Sequence, residues 1–197
     1  MAAFAIAGFM AGWLGKITFA AHGISLGIAS FTYMFASGIS GAASIRVATF
    51  KGSDDSVNVK KAGFTGIGIS AMIMLFFAFV FIAFNRFLPT FFSKNSAVLE
   101  LSSGLLLVAA LFQLFDGVQV TALGILRGLS DVKIPTFIAM AAYWGIALPV
   151  AYYLGFKQNL GVYGIWFGLC AGLMFAAIAL FARFRHLAGP QMVAKNK

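Results

Sequence analysis

Charge is what this sequence has least of. Only 10% of its 197 residues are Asp, Glu, Lys or Arg, against about 25% in a typical soluble domain. With 61% hydrophobic residues, a water-soluble fold is excluded and an integral membrane protein is implied. A single cysteine, Cys170, excludes an internal disulfide; inside an apolar run it reads as a small hydrophobe. The two histidines, His22 and His186, lie at opposite ends of the sequence with no Cys or carboxylate at ligand spacing, which argues against zinc. Neither a P-loop nor an HExxH pattern occurs. The glycines recur inside apolar runs, where helix packing uses them, and not in phosphate loops. No enzyme and no cofactor are indicated. No cleavable secretory signal is expected from these residues, since Met1 opens directly into AAFAIAGFMAG with no basic stretch before it.

What charge there is has one dominant sign. Fourteen Lys and Arg face five Asp and Glu, for a formal net charge of +9. A nucleic-acid surface would gather these cations on one face, whereas here they sit at the ends of apolar segments, where they orient a membrane protein. Ten of them fall in the stretches 46–61, 127–133 and 183–197, against four (Lys16, Arg86, Lys94, Lys157) at the opposite ends. The richer set belongs in the cytoplasm, so the C-terminus is expected on the cytoplasmic side of the membrane. Asp54 and Asp55, beside Lys51, Lys60 and Lys61, read as a solvated loop pair.

The apolar segments predict an all-α bundle of six transmembrane helices, spanning about 1–21, 24–45, 62–84, 98–126, 135–154 and 162–182. Residues 1–183 form this lobe, and 184–197 form a basic cytoplasmic tail. The first apolar run, Met1 to Leu14, is shorter than the roughly 20 residues a span needs. It reaches that length only by continuing through Lys16 to about Ala21, or by having lost its beginning. SGISGAAS at Ser37–Ser44, and Gly164, Gly168 and Gly172 at every fourth position, predict close helix approach. The third segment is expected to face lipid over much of its surface. Pro149 should kink the fifth. His22, Tyr152, Tyr153 and Trp166 are expected at the membrane interface.

The chain is organised around Leu111 to Lys133, LFQLFDGVQVTALGILRGLSDVK. Asp116 is a lone carboxylate in a long apolar segment, with Gln113 three residues before it and Gln119 three after, on one helical face. Arg127 is the next charge, eleven residues on; at about 1.5 Å rise per residue, Asp116 lies roughly 16 Å from the basic edge. A charge at that depth has to face protein or water, and it marks a functional site by default. Ser30, Thr32, Tyr33 and Ser37 supply polar positions on the second segment. A carboxylate there can hold a proton or Na⁺, or attract an organic cation. Competition among these couples inward cation flux to outward export.

FQLFDGVQVTALGILRGLSDVKIP at Phe112–Pro135 resembles the tenth helix and following loop of the multidrug and toxic compound extrusion (MATE) transporters. WLGKITFAAH at Trp13–His22 resembles that family's join between helices seven and eight, and SGISGAASIRVATFKG at Ser37–Gly52 the end of its eighth helix. GVYGIWFGLCAG at Gly161–Gly172 is similar to its twelfth. The resemblance covers the whole chain in order. It implies one lobe, the C-terminal half, of a twelve-helix antiporter that exports cationic or amphipathic compounds in exchange for Na⁺ or H⁺. It implies Asp116 as the cation-binding acid, with no metal site beyond Na⁺ there, and Tyr33, Phe112, Gln113 and Gln119 lining the cavity. The implied partners are the bilayer, small organic cations or amphipathic drugs, and an N-terminal lobe or a second copy; nucleic acid is not among them. In sodium-coupled members a Glu stands four residues before a Phe-Ala pair; here the pair is Phe4-Ala5, which puts that Glu immediately before Met1. Met1 therefore reads as an internal methionine, and the chain as a C-terminal fragment or a mis-started frame. The alternatives are an inactive or assembly-only six-helix module, and a related lipid-linked sugar flippase. The flippase should carry intramembrane cations for phosphate, and none of the Lys or Arg is deep.

Overall fold

The computed structural model describes residues 2–188. The expected basic tail therefore lies outside the described residues from 189 onward, and its first residues are helical. Besides one 3-10 turn at Leu88–Phe91, the chain folds into six apolar helical segments, with no strand among the described residues. They are α1 (Ala2–Trp13), α2 (Lys16–Gly52), α3 (Ser56–Ala83), α4 (Ser96–Gly128), α5 (Lys133–Lys157) and α6 (Gly161–Leu187). α2 to α6 are each long and apolar enough to cross a membrane, while α1 is a shorter apolar helix.

The first boundary differs from the expected one. The break falls at Leu14–Gly15, not at residues 22–24, and α2 then runs unbroken for 37 residues. Gly15 adopts φ 123°, a conformation that side chains resist and glycine takes freely. The chain turns there, and Lys16 to Ala21 belong to the second helix.

α5 carries Pro149 in an unusual way. Lys133–Met140 is α-helical, Ala141–Ala147 is π-helical, Leu148–Tyr152 is α-helical and Tyr153–Lys157 is π-helical. Pro149 has no N–H for the carbonyl one turn back. Widened π-helical turns stand on both sides of the short α-helical stretch that holds it.

α4 is the central helix, packed against α2, α3 and α6. The expected close approach of the second segment is present, but its glycines are not the ones that make it. Gly38 and Gly41 face open space; the contacts are Gly124 against the main chain of Ser40, Gly128 against that of Ser44, and Gly66 against Ala43. The α6 stripe behaves as its spacing implies, with Gly164 on Leu154 and Gly155, Gly168 on Ala151, and Gly172 on Ala147. Serines supplement this packing by donating to α4 carbonyls: Ser40 to Val120 at 2.8 Å, Ser70 to Gly117 at 3.1 Å. α3 turns Ile69, Met72, Phe76 and Phe79 outward, as a lipid-facing helix would.

The basic end of the bundle is tied by polar contacts. Lys51 Nζ donates to the Leu129 carbonyl at 2.6 Å and to Ser130 Oγ at 3.1 Å. Arg183 pairs with Asp131 at 2.9 Å. Asp55 is not merely solvated. It caps α3 by accepting from the Asn58 backbone N–H at 3.0 Å and from Asn58 Nδ2 at 2.6 Å.

Two outcomes are expected. Gly168→Ala forces a methyl into the Ala151 main chain and should cost about 1–3 kcal/mol, whereas Gly41→Ala, facing open space, should be neutral; thermal stability in detergent compares them. The hydrogen bonds from Asn58 hold the Asp55 carboxyl below the usual carboxylate range. Because the folded value is the lower one, its contribution is present above the unfolded value and is lost as pH falls through the folded value. Hydrogen exchange at the Asn58 amide, corrected for intrinsic rate, should lose protection in that acid range, and Asp55→Ala should abolish the dependence.

Candidate functional site

The helical spacing of three residues puts Gln113, Asp116 and Gln119 along one buried face of α4, with exposures of 0%, 9% and 5%. Each Gln reaches a different neighbouring helix. Gln113 Nε2 donates to Thr32 Oγ1 on α2 at 2.7 Å, and Thr32 passes its own hydrogen bond to the Ala29 carbonyl at 2.7 Å. Gln119 pairs with Tyr143 of α5, its Nε2 2.8 Å and its Oε1 3.1 Å from the phenol oxygen. Asp116 lies between them. Its carboxylate makes no hydrogen bond with another described residue and keeps a small exposed area.

Tyr33 is half-buried, and it and Asp116 both lie within electrostatic reach of Tyr143. The ring of Phe4 on α1 approaches Tyr143 with centroids 6.0 Å apart. Residues of α2 and α5 thus engage the two amides that flank the acid, and α1 packs on the same tyrosine. Of the other expected polar positions, Thr32 joins the cluster, whereas Ser30 and Ser37 are exposed. Phe112 is 3% exposed and stacks on Trp166, centroids 5.6 Å apart and planes at 29°.

Tyr143 escaped the sequence reading although its signal was present. A phenol in mid-span needs a hydrogen-bond partner once buried, and Gln119 was the available one.

A second polar contact also differs from expectation. His22 and Trp166 turn inward and are buried at 2% and 1%. Trp166 Nε1 donates to His22 Nδ1 at 3.1 Å. The reason is the early break at Gly15. With α2 beginning at Lys16, His22 stands almost two turns inside the helix and faces α6. Tyr152 and Tyr153, at 49% and 54% exposed, remain on the surface. One enzyme-like spacing does occur, Gly-Ile-Ser-Leu-Gly at 23–27. It lies within a helix, not on a strand-to-helix turn, and Ser25 Oγ donates to the Ser102 carbonyl at 3.3 Å.

Five helices long and apolar enough to cross a membrane, packed as one bundle, define an integral membrane helical lobe. The family model named MatE matches residues 1–153. A probable multidrug resistance protein NorM of Agrobacterium fabrum is 38% identical over 186 residues, covering 92% of this chain and 40% of its own length. One of Pseudomonas putida is 40% identical over 182 residues, covering 90% and 39%. The chain belongs to the MatE family, whose members are transporters and not enzymes. It spans about 40% of the length of the curated relatives it matches. The fold is shared with the eukaryotic MATE transporter AtDTX14, with a TM-score of 0.88 at 22% identity over 92% of this chain and 41% of that one. It is also shared with a multidrug resistance MATE family transporter in an outward-facing conformation, with a TM-score of 0.85 at 18% identity over 94% and 43%.

Trp166→Phe keeps an aromatic ring but leaves His22 Nδ1 buried without a donor. The variant should lose about 1–3 kcal/mol of stability, read as an earlier loss of the monodisperse size-exclusion peak on heating.

Proposed function

We propose that this chain forms one lobe of a secondary exporter that trades Na⁺ or H⁺ for cationic or amphipathic compounds across the cytoplasmic membrane of a bacterial cell. Asp116 is the cation-binding carboxylate of that exchange. The observation that carries the reading is a buried carboxylate in the central helix with no hydrogen-bonded protein partner among the described residues. A lone anion in a low-dielectric setting attracts one cation at a time. A coupling ion and a cargo cation therefore exclude one another, and exclusion at a shared site is what antiport requires. Gln113, Gln119, Tyr33 and Tyr143 surround the acid with neutral groups that can orient a guest without competing for its charge. Phe112 lies behind this layer, against Trp166.

Alternating access needs a second bundle moving against the first around a central site. The partner is a second six-helix lobe, in the same polypeptide or as another copy. The bacterial relatives named multidrug resistance proteins support the cargo class. The ten-to-four distribution of Lys and Arg supports a cytoplasmic C-terminus.

Asp116→Asn removes the charge and keeps the shape. Expressed from its own chromosomal context, the variant should reach the membrane fraction in normal amount, while ethidium efflux drops to that of cells lacking the gene. Undiminished efflux would remove Asp116 from the mechanism.

A further inference from the structure

We propose that Thr32 and Tyr143 are positioning residues that hold the two amides flanking Asp116 away from its carboxylate, so that the acid stays open to a cation. The inference deepens the reading of Asp116 as the cation-binding acid and rests on it.

Helical residues three apart are neighbours, and Gln-to-carboxylate hydrogen bonds are among the pairs that form at this spacing. Gln113 and Gln119 both stand at that spacing from Asp116, yet neither bonds to it. Gln113 Nε2 is taken by Thr32 Oγ1 at 2.7 Å. Gln119 is taken at both ends of its amide by the Tyr143 hydroxyl, at 2.8 and 3.1 Å. The two holders come from different helices, α2 and α5, so the arrangement is tertiary and not a local preference of α4.

Two features show that this arrangement is selected over an easier one. Gln113 Oε1 is left buried with no donor among the described residues, a cost accepted in holding the amide on Thr32. Tyr143 lies within the π-helical stretch Ala141–Ala147, a rare backbone form that recurs at functional sites and changes which side chain a helix presents to its neighbour. Thr32 is also fixed from behind, through its own hydrogen bond to the Ala29 carbonyl.

The chemical consequence follows from competition. A carboxylate that accepts an amide N–H has that bond to lose before it can take a cation. Hydrogen bonds to charged groups are strong enough for this to weaken cation binding by about tenfold or more. Tyr143→Phe keeps the ring that packs on Phe4 and deletes only the hydroxyl. Gln119 is then free to turn to Asp116.

The test is the infrared carboxylate band of the purified full chain, labelled with ¹³C at the Asp carboxyls, in lipid nanodiscs at alkaline pH. Asp116→Asn identifies the band by its loss. In Tyr143→Phe the band should move as the freed amide engages the carboxylate, and in Tyr143→Phe combined with Gln119→Leu it should return to its starting position. Thr32→Val should move it too, and adding Gln113→Leu should restore it. In cells, Tyr143→Phe should slow ethidium efflux about tenfold at sub-saturating dye. A band unmoved by Tyr143→Phe overturns the proposal. So does a shift that persists in the double variant, because general loosening of the bundle would survive removal of the amide. If the band responds as described while Asp116→Asn leaves efflux intact, the placement of the amides stands and the antiport role of Asp116 falls.

Discussion

A carboxylate cannot be left facing hydrocarbon. Moving an ionised side chain into the middle of a bilayer costs several kcal/mol or more unless protein or water meets it, and one helix of this chain carries such a group at mid-length. α4 is accordingly the helix that the others surround. α2, α3 and α6 pack on it directly, and the face that bears Asp116 is buried along Gln113, Asp116 and Gln119. The rest of the bundle is the means by which this helix is covered.

Burial of apolar surface does little to bring helices together in lipid, since the tails are as apolar as the side chains. The chain relies on close approach instead. Gly124 and Gly128 let the α2 main chain lie against α4, and the glycine stripe of α6 does the same for α5. Ser70 and Ser40 donate to the carbonyls one and four residues after Asp116. Interhelical hydrogen bonds in membranes average about 0.6 kcal/mol each, so they add less to strength than to register. Register is what the acid needs, because a rotation of α4 would expose it. The contacts of Lys51 with Leu129 and Ser130, and of Arg183 with Asp131, fix the same helix at its basic end.

The features legible in the residues are those in which polarity or size breaks a uniform background. Asp116 stands out because an acid in an apolar run has few structural explanations. Gly164, Gly168 and Gly172 stand out because their spacing repeats. What stayed hidden is which way an apolar helix faces. In water, a polar face marks the outside of a helix; in lipid both faces are apolar, so nothing in the local pattern separates Gly38 and Gly41, in open space, from Gly124 and Gly128, in contact. The same loss of contrast concealed the inward turn of Trp166. The break at Gly15 rather than near Gly23 depends on a backbone angle, and both glycines permit it. Once that break moves, His22 moves with it from an edge to the interior. The π-helical stretch around Tyr143 is a backbone form that no side-chain pattern announces.

The placement of charge also constrains what can stand next to Asp116. The Lys and Arg lie toward the segment ends, and one acid that does have a cationic partner, Asp131, meets Arg183 at the basic end. An Arg beside Asp116 would satisfy the carboxylate permanently, and prying such a buried pair apart costs several kcal/mol. Amides are weaker and can be engaged elsewhere, as Thr32 and Tyr143 engage Gln113 and Gln119 here. On the proposed reading, the neutral surroundings of the acid are therefore as necessary as the acid itself. A site that must take and release a cation in every cycle works only if no fixed positive charge in the protein has already occupied it.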